Sequence, residues 1–122
     1  MPALATLRRN WEFQQVFRVG KNNAGREIVV YTLRNRNRRR PARFGFCISK
    51  KVGCAVVRNR LRRRLREICR AALPQLQDGW DIVLVARSDA AESSYQELDK
   101  AFQRQTQKLG CWSEPREAPS QG

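Results

Sequence analysis

The sequence predicts a single α+β domain. Two stretches, Ile28–Leu33 and Trp80–Ala86, are rich in β-branched and other apolar residues and read as strands. Between them Val57, Leu61, Leu65 and Ile68 recur at steps of four, four and three, the period of a helix. A further strand before that helix and Trp80–Ala86 after it make a β-α-β unit of a size suited to parallel strands. At 122 residues the chain is near the commonest domain size, and its 41% hydrophobic content supplies a modest core.

The elements follow in order. Trp11–Val19 reads as a short helix with Trp11, Phe13, Val16 and Phe17 on a broad aromatic side, closed by Gly20. Lys21–Gly25, K-N-N-A-G, reads as a loop. Ile28–Leu33 is the first strand. Arg34–Arg43, R-N-R-N-R-R-R-P-A-R, reads as a mobile basic hairpin loop. Phe44–Ser49 is the next strand. Its bulky face (Phe44, Phe46, Ile48) belongs in a core, and its small face (Gly45, Cys47, Ser49) suits a close approach by something else. Leu73-Pro74 stops the long helix.

Trp80–Ala86 has a continuous apolar run from Ile82, the mark of a strand covered on both faces. Ser94 and Glu97 form a capping box that opens a last helix, with Leu98, Ala101, Phe102 and Leu109 on one side and Gly110 at its end. Residues 111–122 have the composition of a disordered tail. The sum is a sheet of about four strands with two small helices and one central helix.

Charge narrows the function. The chain has 25 basic and 11 acidic residues, net +14. Twenty of the basic residues are arginine, the side chain that forks onto phosphates and stacks on bases. Nucleic acid is the expected partner, ahead of an anionic membrane surface. Val56–Arg70, V-V-R-N-R-L-R-R-R-L-R-E-I-C-R, concentrates the charge. At 100° per residue, Val57, Leu61, Leu65, Ile68 and Ala72 fall in an arc of about 80°, with Asn59, Arg62, Arg63, Arg66 and Arg70 nearly opposite. Arginines four apart oppose one another by a few tenths of a kcal/mol each. Arg58 and Arg60 also stand near the helix start, where the macrodipole disfavours cations. A bound phosphate reverses both penalties. Lys50 and Lys51 add charge just before the helix, and Asn59 offers an amide suited to capping, to a ribose or to a base edge.

Other classes recede. There is no histidine, so the commonest general base is missing. The chain shows no G-x-S-x-G, H-E-x-x-H or phosphate-loop motif. Cys47, Cys54, Cys69 and Cys111 form no C-x-x-C pair and read as reduced packing residues with no metal site. No apolar run approaches the roughly 20 residues of a membrane span. The first ten residues lack the apolar core of a signal peptide, which predicts a cytoplasmic location.

The block S-K-K-V-G-C-A-V-V-R-N-R-L-R-R-R-L-R-E followed by W-D-I-V-L-V-A-R closely resembles the bacterial ribonuclease P protein component. E-F-Q-Q-V-F-R-V-G and V-V-Y-T-L upstream fit the N-terminal half of that family, so the likeness covers about residues 8–109. It implies a two-layer α-β sandwich with a left-handed β-α-β crossover, against the usual right-handed rule.

The resemblance also implies a role. The partners would be the catalytic RNA of ribonuclease P, bound one to one, and precursor tRNA, whose 5′ leader that RNA removes using magnesium ions it mainly holds itself. The matching RNA-binding residues are Lys50, Lys51, Arg58, Asn59, Arg60, Arg62, Arg63 and Arg66. The matching leader-binding residues are Phe13, Phe17, Val29 and Tyr31. Arg62-Arg63 stands where the family often has Lys-Arg, and Cys54 where a polar or basic residue is common. Aromatic side chains over a positive groove are also how single strands are held in general.

A ribosome-associated or other non-catalytic RNA-binding protein is the alternative. The basic region of a zipper protein is disfavoured because no heptads follow and Pro74 cuts the helix. A membrane-surface helix is disfavoured by the narrow aliphatic stripe.

Overall fold

A computed structural model describes residues 4–35, 37 and 39–113. Its elements are α1 (Asn10–Val19), β1 (Lys21–Ala24), β2 (Ile28–Arg34), β3 (Arg43–Cys47), α2 (Ala55–Ala72), β4 (Trp80–Ala86) and α3 (Tyr95–Lys108), with short 3₁₀ turns at Leu73–Gln75 and Ser88–Glu92. The fold is α+β with one mixed four-stranded sheet, ordered β1-β2-β4-β3. β1 and β4 run antiparallel to β2, and β3 runs parallel to β4.

β4 takes the centre because it is apolar on both faces. Ile82 and Leu84 point into the larger core with Ile28, Val30 and Phe44, and α2 and α3 cover that side with Leu61, Leu65, Ile68, Leu98 and Phe102. Val83 points the other way and meets Leu7 and Val16, with Phe13, Tyr31, Leu33, Cys47 and Val85 packed around them. α1 thus lies across the face opposite α2 and α3.

Four sequence-based expectations change. Lys21–Ala24 is an edge strand and not a loop: Lys21 pairs with Thr32 and Ala24 with Val29. Its polar K-N-N composition is what an exposed edge tolerates. The basic connection after β2 is not a hairpin, because β4 sits between β2 and β3; residues 36 and 38 of it lie outside the described residues. Phe44–Ser49 shifts to Arg43–Cys47. Trp11 is not on the buried side of α1, where only Val16 is fully enclosed.

Residues 111–113, expected to open the tail, pack against the domain. Cys111 is buried, and Trp112 Nε1 donates to Thr106 Oγ1 at 2.6 Å. Ser113 N donates to Gln75 O. Residues 114–122 lie outside the described residues.

Helix ends follow the local chemistry. Glu97 N donates to Ser94 Oγ at 3.1 Å while Ser94 N donates to Glu97 Oε1 at 2.8 Å, the expected capping box. Gly110 takes φ +82°, and Cys111 N and Gly110 N donate to the carbonyls of Thr106 and Gln107, a Schellman close. Gly20 closes α1 in an extended conformation, its N–H donating to Val16 O.

Candidate nucleic-acid interface

α2 carries the expected division of labour. Leu61, Leu65, Ile68, Cys69 and Ala72 are buried, while Val57, at the start of the stripe, is half-buried. Burying Leu61, Leu65 and Ile68 contributes about 1.5–3 kcal/mol each. That outweighs like-charge repulsions of a few tenths of a kcal/mol per pair, so the helix holds despite its charge.

The charged face is scarcely neutralised. Among the described residues the one carboxylate pair on α2 is Glu67–Arg70 at 3.9 Å, on a side chain already 60% exposed. Such a pair is worth little. Arg58 Nε donates to Gly53 O at 3.1 Å, Arg64 Nη1 to Ser93 O at 3.3 Å, and Arg62 Nη1 to Asn59 Oδ1 at 3.4 Å. Asn59, Arg60 and Arg63 are exposed, and Arg58, Arg62 and Arg66 are half-buried. Lys50 and Lys51 are exposed in the turn before α2.

The start of α2 has no side-chain cap. Cys54 occupies the N-cap position with an exposed thiol, whose pKa is pulled down by the N–H groups of Val57 and then Val56. The free N–H groups of a helix start attract anions in general. The other thiols differ: burial raises Cys47, raises Cys69 well above its ordinary value and pushes Cys111 up to about 12.

The four residues matched to the leader lie together on the α1 face. Phe17 and Tyr31 pack edge-to-face at 4.8 Å between centroids and 83° between planes. Phe17 is 39% exposed, whereas Phe13 is largely covered. A Cβ at Gly45 would overlap the Phe13 ring, so the close approach that the small face of β3 allows is made by Phe13 itself. Val29 pairs with Val85 and Tyr31 with Val83, which seats both on β2 beside β4. Cys47, at the end of β3, borders the same cluster, and residues 48–54 lead from it into α2. The aromatic cluster and the basic helix are therefore joined by the turn that bears Lys50 and Lys51.

Sequence reasoning missed the device that fixes α1. Arg43 Nη1 donates to Glu12 Oε2 at 2.8 Å, and its Nε and Nη2 donate to Asp81 at 3.0 and 2.9 Å. Glu12 Oε1 also accepts from Arg8 N and Arg9 N, both at 3.0 Å. Backbone donation from Arg9, then from Arg8, with Arg43 adding to it, lowers the Glu12 carboxyl from 4.5 to about 2. Hydrogen bonding to Asp81 raises Arg43 further. The acid at the third helical position of α1 is the one local signal; its partner stands 31 residues away.

Fold and surface define a small, basic α+β protein of the nucleic-acid-binding class. The sequence model of the family described as Ribonuclease P matches residues 1–110, and the chain belongs to that family. It is 40% identical over 108 residues to the ribonuclease P protein component of Natranaerobius thermophilus, covering 88% of this chain and 92% of that one. It is 42% identical over 96 residues to that of Bacillus cereus, covering 79% and 83%. Its fold is similar to the ribonuclease P protein of Staphylococcus aureus, with TM-score 0.81 and 27% identity over 88% of this chain and 97% of that one. The Thermotoga maritima protein, solved with 1-(4-fluorophenyl)-2-thiourea, gives TM-score 0.73 and 27% identity over 80% and 94%. Membership implies part in ribonuclease P and tRNA processing, with an RNA partner. No helix among the described residues is long and apolar enough to cross a membrane.

Proposed function

We propose that the chain is the protein subunit of ribonuclease P, acting in the bacterial cytoplasm. It binds the catalytic RNA one to one through α2 and the turn before it, and holds the 5′ leader of precursor tRNA in the groove of Phe13, Phe17, Val29 and Tyr31. The observation that carries this reading is the arginine face of α2, whose single carboxylate pair among the described residues is a weak one. Phosphates supply what that face lacks, and each contact they make releases counterions.

The chemistry is assigned to the RNA. The protein surfaces offer guanidinium, ammonium, amide and aromatic groups, a donor set for phosphates and bases that does not fit a resident magnesium ion. Magnesium therefore enters as a component held mainly by the RNA. The protein adds affinity for substrates that carry a leader and lowers the repulsion between the two RNAs.

The test is direct. Adding the chain to a bacterial ribonuclease P RNA at low magnesium is expected to stimulate cleavage of precursor tRNA at the mature 5′ end. Cleavage no faster than with RNA alone overturns the proposal. Phe17→Ala is expected to weaken binding of long-leader substrates more than of leaderless tRNA; equal losses would leave Phe17 as packing only.

A further inference from the structure

K-N-N-A reads as a loop in the sequence and pairs as β1 in the structure, and the pairing brings one more polar side chain to the aromatic cluster. Residues directly opposite each other on antiparallel strands share a face of the sheet. Asn22 stands opposite Tyr31 and Ala24 opposite Val29, so both lie on the face that α1 crosses. Lys21 and Asn23 stand opposite the buried Thr32 and Val30 and belong to the other face.

Asn22 is therefore the polar neighbour of the two rings matched to the leader. Phe17 packs edge-to-face on Tyr31 and is the exposed ring of the pair. Opposed Cβ atoms lie about 4.5–5.5 Å apart, so a base stacked on Phe17 or Tyr31 has the Asn22 amide within reach of its edge. The amide is free for that use. The side chains of Asn35, Asn37 and Asn59 are each engaged by a neighbour, whereas that of Asn22 is exposed and has no hydrogen-bond partner among the described residues.

The position is also held. Gln105, buried on α3, donates through Nε2 to the carbonyls of Asn23 at 2.6 Å and Ile28 at 3.1 Å, one on each strand of the β1–β2 hairpin. That clamp supplies the order that K-N-N-A lacks by propensity. A binding group on a rigid strand loses less freedom on contact than one on a loop.

We propose that Asn22 reads the base of one leader nucleotide, the one stacked on Phe17 and Tyr31, by hydrogen bonding to its edge. The inference rests on the leader reading above and deepens it. Stacking holds every base, because each has a π-face. An amide at a fixed place donates and accepts side by side and so favours the base whose edge complements it.

The experiment uses the holoenzyme, assembled from the full chain and a bacterial ribonuclease P RNA. Its substrates are precursor tRNAs whose leader carries A, C, G or U at each position in turn, and dissociation constants are measured. The unaltered protein is expected to prefer one base at one leader position. Asn22→Ala is expected to bind the preferred leader roughly fivefold more weakly and to bind the bases alike at that position. Asn22→Asp is expected to improve guanine relative to the other bases, because a carboxylate only accepts and guanine presents N1–H and N2–H₂ side by side. Asn22 is exposed on an edge strand, so both variants keep the core, and their binding of leaderless tRNA is expected to be unchanged.

A base preference unchanged by Asn22→Ala, a guanine no better placed in Asn22→Asp, or no preference at any leader position overturns the proposal. A leader that adds no affinity for the unaltered holoenzyme overturns the leader reading and the role of Asn22 together. A leader that adds affinity equally with and without Asn22 overturns the role of Asn22 alone.

Discussion

Replacing Glu12 by glutamine tests the anchor of α1 through pH. In the folded protein its carboxyl lies near 2 in place of 4.5, held by the N–H groups of Arg9 and Arg8 and by Arg43. A depressed carboxyl stabilises the fold above the unfolded value, and the gain is lost as pH falls from 4.5 toward 2. The full gain is at most about 3 kcal/mol at neutral pH, and about two fifths of it remains at pH 3. Glu12→Gln keeps the shape and removes the charge, and it turns an amide N–H₂ group toward Arg43. Urea unfolding of both proteins from pH 7 to pH 3 is expected to show a penalty of about 2–3 kcal/mol at pH 7 that shrinks by more than half at pH 3. A penalty independent of pH, or none at pH 7, would refute the assignment of Glu12 as an ionised anchor.

Three other outcomes follow from the same structure. Gly45→Ala forces a methyl into the Phe13 ring and is expected to cost about 1–3 kcal/mol in urea unfolding; unchanged stability would mean that α1 is not seated on β3. Arg62→Ala with Arg66→Ala is expected to weaken assembly with the catalytic RNA and to flatten its log–log salt dependence by close to one unit per lost phosphate contact; an unchanged slope removes both from the interface. Cys54 is expected to be alkylated by iodoacetamide well before Cys69 and Cys111, read by mass spectrometry, because its thiol is exposed and lowered while theirs are buried and raised; equal rates would contradict the burial.

What was legible in the sequence was what is local. The stripe of α2, the two-sided apolar run of β4, the Ser94–Glu97 box and the Gly110 stop are each encoded within a few residues and stand as read. β1 was not legible, because K-N-N-A has no strand propensity and is extended only through its pairing with β2. The strand order was hidden for a related reason: β4 enters between β2 and β3 long after both have been written. At the site, the arginines and the aromatic pair were readable as types. The side of α1 on which Trp11 lies was not, since Trp11, Phe13 and Phe17 look alike until the sheet decides which flank each one faces. Arg43 was seen only as one more cation in a basic connection, because its fork is filled by carboxylates 31 and 38 residues distant.

The place of β4 has a consequence for how the chain comes into being. The strand that joins β2 to β3 is made after both of them and after α2, so a growing chain that has reached only Asp78 holds its most basic helix with no finished sheet beneath it. Pairings between segments this far apart form late and slowly. During that interval the arginines have emerged and the Leu61–Ile68 stripe is still uncovered. The proposed binding segment is thus complete in charge before the domain is complete in shape.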